Sequence, residues 1–312
     1  MKYDKILPIL AGMITAIVFG FSFLFTKEAL VAIAPFDLLS FRFGTATLVL
    51  IFLRFMGIIK TNYKDKNLKV LFILALFQPV LYFIFEIMGL SRTTTSEAGI
   101  MMSLIPIIVT CLASVFLKEI PSKPQVLSIF LSLIGVFIVI LMKDIYTSGS
   151  LLGILFLIGA VLCAATLNIL SRKLSIEFKP VEITFFMMCT GAIFFNGFSF
   201  INHGIKGDLT NVFMLFGDTK VIIAILYLGV LSSVVAFFLT NYNLAKLEAS
   251  RAAVFANLTT VISVIAGVFI RKESFTIYQF VGTCMILLGV WGTNYYGEKK
   301  EKLSSNRDVI IE

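Results

Sequence analysis

Apolar residues run along this chain in long blocks, and short polar links separate them. Crossing bilayer hydrocarbon takes about 20 residues of helix, and a helix satisfies its own backbone polar groups. Blocks of that order fall at 7–26, 36–53, 69–90, 97–117, 124–142, 151–171, 181–200, 221–243, 251–270 and 276–293. The pattern therefore predicts an all-α polytopic membrane protein with ten transmembrane helices. The longest links, 54–68 and 201–220, leave no room for a soluble catalytic domain.

The blocks repeat. GLSRTTTSEAGIMMSLIPIIVTCLASVFLKE at 89–119 and NLAKLEASRAAVFANLTTVISVIAGVFIRKE at 243–273 stand 154 residues apart. Both pass from a polar link, through Ser and Ala, into an apolar span that ends on Lys-Glu. Gln125, Gly135 and Val136 recur as Gln279, Gly289 and Val290. Gly12 can be laid on Gly153, and Asp37 on Glu182. These matches predict two five-helix repeats, 1–145 and 146–295, followed by a short tail at 296–312. Five is odd, so the second repeat would enter the membrane from the opposite side. Inverted repeats of this kind underlie alternating access in many transporters. Duplication is also a simple way to build a bundle, and that reading predicts a scaffold or sensor instead.

Composition agrees with a membrane protein. The chain is 59% hydrophobic and 14% charged, where a soluble domain carries about 25% charge. Its net charge of +8 forms no basic stripe, which argues against nucleic acid. Instead the basic residues punctuate the spans. With the N-terminus in the cytoplasm, 17 fall on that side, among them Lys60, Lys64, Lys66, Lys118, Lys123, Arg172, Lys173 and Lys179, against 7 on the other. That bias predicts both termini inside. The first span reads as a retained helix, not a cleaved signal. Cys111, Cys163, Cys189 and Cys284 each lie alone in an apolar span, so no disulfide or metal spacing is visible. The single His, His203, falls in an expected external link. No HExxH, GxSxG or P-loop occurs, which predicts neither enzyme, nor cofactor, nor direct ATP drive. No polar filter points to a channel.

Two charges stand out inside the spans. At 1.5 Å per residue, Arg42 lies about 9 Å into the second span and Glu86 about 6 Å from the end of the third. Both then sit at similar depth in the outer half. Such charges pair, line a pathway or snorkel to the headgroups. All three roles stay open for Arg42 and Glu86, and Asp37 is an alternative partner for Arg42. Protonation of Glu86 offers a route to proton coupling. Tyr82, four residues before Glu86, shares its face. Phe19, Ser22 and Thr26 share a face of the first span. Asn168, Asn241, Tyr242 and Asn257 are suited to bonding a solute, and equally to bonding a neighbouring helix. Ser96, Ala98, Gly99 and Ser103, with Ser250, Ala252, Ala253 and Ala256, predict close helix contacts. Gly135, Gly282, Gly289 and Gly292 predict tight packing of the fifth and tenth spans, within the chain or between the subunits of a homodimer. Pro106 predicts a bend in mid-span. The pocket is expected between spans one to four and six to nine.

Three stretches carry a family resemblance. VFGFSFLFTKEAL at 18–30 is close to an aromatic-Gly-x-Ser start followed by Lys, with Phe19 where the aromatic is often Trp. LLSFRFGTATLVL at 38–50 has the Arg-aromatic opening of a second helix, and 89–140 has the Pro-containing helix, Glu-bearing turn and Gly-rich helix that follow. The second half repeats the last pattern at 243–290, with Thr260 in place of Pro106. Over about 290 residues the chain resembles the EamA-like family of the drug/metabolite transporter superfamily. The resemblance implies a secondary transporter in the cell membrane, in contact with lipid, that exports a small metabolite such as an amino acid.

Overall fold

A computed structural model describes residues 3–92, 101–141, 151–206, 219–271 and 277–311, and no strand occurs among them. The helices are α1 (Tyr3–Ala29), α2 (Pro35–Phe55), α3 (Leu68–Leu90), α4 (Ile105–Phe116), α5 (Lys123–Leu141), α6 (Leu151–Leu174), α7 (Pro180–Lys206), α8 (Thr219–Lys246), α9 (Ala249–Ala253), α10 (Phe255–Arg271) and α11 (Ile277–Ile311). Local chemistry sets many of the ends. Pro35 and Pro180 open α2 and α7, where a missing N–H costs nothing. Gly57, at φ 73°, closes α2. There the Gly57 N–H reaches the Arg54 carbonyl and the Ile58 N–H the Leu53 carbonyl, a Schellman stop. Asn67 caps α3 by accepting from the Lys69 N–H at 3.1 Å.

The expected ten crossings are not found. Among the described residues, six helices are long and apolar enough to cross a membrane: 6–29, 35–55, 68–90, 151–174, 180–205 and 219–246. Chain breaks explain much of the difference. The chain turns at Ser103 and Leu104, and Pro106 stands in the first turn of a helix of 12 residues, not in the middle of a longer one. A helix of that length spans about 18 Å, well short of a hydrocarbon core of about 30 Å. Val254 separates α9 from the 17-residue α10 in the same way. The last block is absorbed into α11, whose 35 residues run on through the expected tail. The inverted two-fold required five crossings in each half, so it falls with the count. Ser96, Ala98 and Gly99 lie outside the described residues.

Packing assembles these helices around three apolar clusters. α2, α3, α7 and α8 share a core that contains Phe43, Phe83, Phe195 and Phe237. The end of α3 packs with α4, α6 and α9, and α1 packs with α5, α10 and α11. The glycines of α5 and α11 are used within the chain. Gly135 meets the backbone at Gly282, Gly289 meets Ser132, and Gly292 meets Ser128. Small residues there let two helix backbones approach closely.

Two helices depart from regular α geometry along their length. α3 is kinked within Leu76–Leu81, and α8 has a wide π turn over Tyr227–Ala236. Pro79 explains the first, because the residue before a proline is driven out of the helical region. Gln78 accordingly adopts φ −148° and ψ 117°.

Candidate functional site

A cavity opens beside the kink of α3 and the wide turn of α8. Its walls come from α1, α2, α3, α6, α8, α9 and α10, with Met102 and Ile105 closing one side. Unlike the expectation, α7 contributes no wall residue; it backs α2 instead. The cavity holds about 160 Å³ open to the centres of water-sized molecules. One water needs about 10–15 Å³ by that measure, so the space suits a solute of order ten non-hydrogen atoms.

Arg42 reaches this cavity from α2 and is 5% exposed. Its Nε donates to Ser233 Oγ at 2.8 Å, and Nη2 donates to Ser232 Oγ at 2.7 Å. Its guanidinium also lies 4.4 Å from the centre of the Phe83 ring, a favourable cation–π arrangement. Both serines belong to the wide turn of α8. Glu86 faces the same cavity, and Tyr82 donates to its Oε1 at 2.8 Å. Arg42 and Glu86 thus have neutral partners and make no direct ion pair with each other. Asp37 is not the partner of Arg42 either. It accepts from Ser199 at 2.6 Å and sits 3.0 Å from His203 Nε2. His203 itself belongs to α7, not to an external link.

The structure divides the remaining candidates. Phe19, Ser22, Thr26, Tyr82 and Asn168 line the cavity with Arg42 and Glu86. Phe19 stands edge-on to Phe237 at 5.5 Å, and Ser22 donates to the Val18 carbonyl of its own helix at 2.9 Å. Asn241, Tyr242 and Asn257 do not line it. Asn241 is fully buried, accepting from Ser171 at 2.6 Å and donating to Thr184 at 2.9 Å, so it ties α8 to α6 and α7. Asn257 ties α10 to α5 by donating to Ser132 at 3.0 Å. Tyr242 stacks on Phe238.

Several polar wall residues were missed by sequence reasoning: Thr15, Gln78, Ser232, Thr240 and Asn243. A signal existed for some of them. The repeat offset of 154 carries Gln78 onto Ser232 and Glu86 onto Thr240, and all four positions face the cavity. Ala252, Ala253 and Ala256 also line it, which gives the small residues of the second repeated stretch a place at the site.

Polar links gather at one end of the bundle. Glu119 accepts from Arg172 Nε at 2.8 Å and from the Ala249 N–H at 2.7 Å. Lys300 pairs with Glu248 at 3.0 Å and donates to the Ile120 carbonyl. Lys66 pairs with Glu182 at 2.6 Å, and the Asn62 N–H donates to the same carboxylate. Tyr63 donates to the Glu182 backbone carbonyl at 2.8 Å. Burial, then the Glu182 charge, pushes its phenol up, which keeps it a donor. Among the described residues, no group of three or more His, Cys, Asp or Glu side chains could hold a metal ion.

The model of the EamA-like transporter family matches residues 6–141 and again 151–295. The chain belongs to the EamA-like transporter family. It is thus a multi-pass membrane transporter of the drug/metabolite transporter superfamily, and not an enzyme. Among its relatives, an uncharacterized transporter of Bacillus subtilis, YcxC, is 36% identical over 307 residues, which cover 97% of each chain. An uncharacterized transporter of Archaeoglobus fulgidus is 27% identical over 89% of this chain and 95% of its own. A solved crystal structure has the same fold, with a TM-score of 0.75 over 92% of this chain and 97% of the other at 15% identity.

Proposed function

We propose that this EamA-like protein is a secondary transporter for a small organic solute of amino-acid type, working by alternating access. One observation carries the reading. Arg42 is a buried cation in a solute-sized cavity, and neutral serines hold it where a structural salt bridge would use a carboxylate. Burying a charge is costly unless it is compensated. A solute carboxylate against Arg42, with its ammonium near Glu86, supplies that compensation. Intramembrane charges facing a cavity commonly mark a substrate path. Export is the direction that the family resemblance implies.

We also propose the cytoplasmic membrane, with both termini inside. The links that meet at one end of the bundle support this placement, since they carry Lys60, Lys64, Lys66, Lys118, Lys123, Arg172, Lys173 and Lys179. Such enrichment is characteristic of the cytoplasmic face. The two family matches support units at 1–145 and 146–295.

Uptake of radiolabelled amino acids into liposomes that contain the purified protein tests the reading, with and without a pH gradient. Saturable uptake is expected. Flux that rises linearly with concentration indicates a channel, and a folded protein with no flux refutes transport of this solute class. Stimulation by the gradient demonstrates proton coupling and makes Glu86 the candidate for the coupling group.

A further inference from the structure

About two turns along α8 from the serines that bind Arg42, the cavity wall has a polar composition of its own. Asn168 on α6 donates its Nδ2 to the Ala164 carbonyl at 2.8 Å. A carbonyl only accepts, so the amide orientation is fixed and Oδ1 is left as an acceptor. Thr240 on α8 donates its hydroxyl hydrogen to the Ala236 carbonyl at 2.8 Å, which leaves the lone pairs of Oγ1. Both side chains line the cavity. The bond from Ser171 to Asn241 fixes the register of α6 against α8. Asn168 lies one turn before Ser171, and Thr240 immediately before Asn241, so the two oxygens stand at similar depth.

The distance to Arg42 sets the size of a solute. Ser232, which binds Arg42, and Thr240 are separated along α8 by about 12 Å at 1.5 Å per residue. A hydrogen bond of about 2.9 Å at each end leaves roughly 6 Å of that rise for the solute, and more for one lying oblique to α8. Between these levels the wall is aromatic. Phe237 meets Phe19 at 5.5 Å and Phe83 at 6.1 Å.

We propose that Asn168 and Thr240 form a specificity subsite that accepts a hydrogen bond from a hydroxyl, amide or ring N–H at the far end of a carboxylate-bearing solute. The inference rests on the transport reading above and deepens it. Arg42 holds the charged head, the phenylalanines cover an apolar body, and the two oxygens read a donor at the tip. A solute of the same shape without that donor leaves nothing for the oxygens to accept.

Tyrosine and phenylalanine differ by one such donor, and glutamine and methionine form a second pair of similar length. Saturable uptake of each is measured in liposomes that contain wild-type protein, Asn168→Leu or Thr240→Val. Thr240 bonds only within its own helix among the contacts described, so Thr240→Val keeps the test open if Asn168→Leu misfolds. In wild type, the donor-bearing member of each pair is expected to have a KM about three- to tenfold lower, the worth of one net hydrogen bond. Each variant should erase that ratio while leaving the KM of phenylalanine and methionine unchanged. Equal KM values within both pairs in wild type, or a variant shift common to both members, overturns the subsite and leaves the transport reading standing. No saturable uptake of any of the four overturns the transport reading, and the subsite with it.

Discussion

Replacing Arg42 with glutamine removes the charge while keeping a hydrogen-bonding side chain of moderate length. Two opposing effects follow from its surroundings. The serine hydroxyls of residues 232 and 233 lose a charged donor, and each such bond is worth about 1.5–3 kcal/mol. Removing a buried cation with no acidic contact recovers a desolvation cost of several kcal/mol. The two nearly offset, so folded stability should change by no more than about 2 kcal/mol in either direction. Solute recognition has no such offset. A carboxylate loses at least one charge-assisted bond of about 1.5–3 kcal/mol, which corresponds to about 10- to 150-fold in affinity. The assay pairs thermal unfolding in detergent with the concentration dependence of uptake in liposomes. The expected outcome is a nearly unchanged melting temperature with KM raised by at least tenfold. An unchanged KM and maximal rate would refute the role assigned to Arg42. A collapse of folding with no recoverable protein would show that it acts as scaffold.

Other perturbations separate structure from transport. Asn241→Leu leaves the Ser171 hydroxyl without its acceptor, while Thr184 still donates to the Pro180 carbonyl, and should destabilise by about 1–3 kcal/mol. Thermal unfolding measures the loss, and KM in the surviving protein should not move. Gly289→Val places a side chain where even a Cβ would come within 2.5 Å of Ser132. It should force α5 and α11 apart at a cost of about 1–3 kcal/mol, which is read as a lower melting temperature, while Gly197→Val meets nothing within 4 Å and should have little effect. Glu119→Ala strips the acceptor from Arg172 and from the Ala249 N–H. Hydrogen exchange across Ala249–Ala253 should quicken, and unchanged protection there would show that this carboxylate does not hold α9.

Legibility in the sequence depended on how many options a residue had. A charge inside an apolar block has few, so Arg42 and Glu86 could be singled out, and helical spacing joined Tyr82 to Glu86. Asn168, Asn241 and Asn257 looked alike because sequence does not reveal which way a residue faces in an all-apolar helix. Only the first faces the cavity, and the others bind neighbouring helices. Gln78 and Ser232 were passed over because the kink in α3 and the wide turn in α8 re-aim side chains away from the helical wheel used to read them. The number of crossings failed for a related reason. Apolar composition marks a block of chain but does not register breaks such as those at Leu104 and Val254. His203 shows the opposite error, a polar residue assigned to a link although α7 continues through it to meet Asp37.

The neutral serines around Arg42 have an electrical consequence. With Glu86 ionised, the empty cavity carries one positive and one negative charge, and a bound zwitterion leaves that sum at zero. Reorientation would then ignore the transmembrane voltage whether the cavity is loaded or empty. With Glu86 protonated, the guanidinium stands alone. A potential of 100 mV acting on one charge is worth about 2.3 kcal/mol if it crosses the whole field. A potassium diffusion potential across the liposome should therefore leave uptake unaffected in the first case and alter it severalfold or more in the second. Voltage sensitivity measured as a function of pH becomes a direct electrical readout of whether Glu86 carries its proton during turnover.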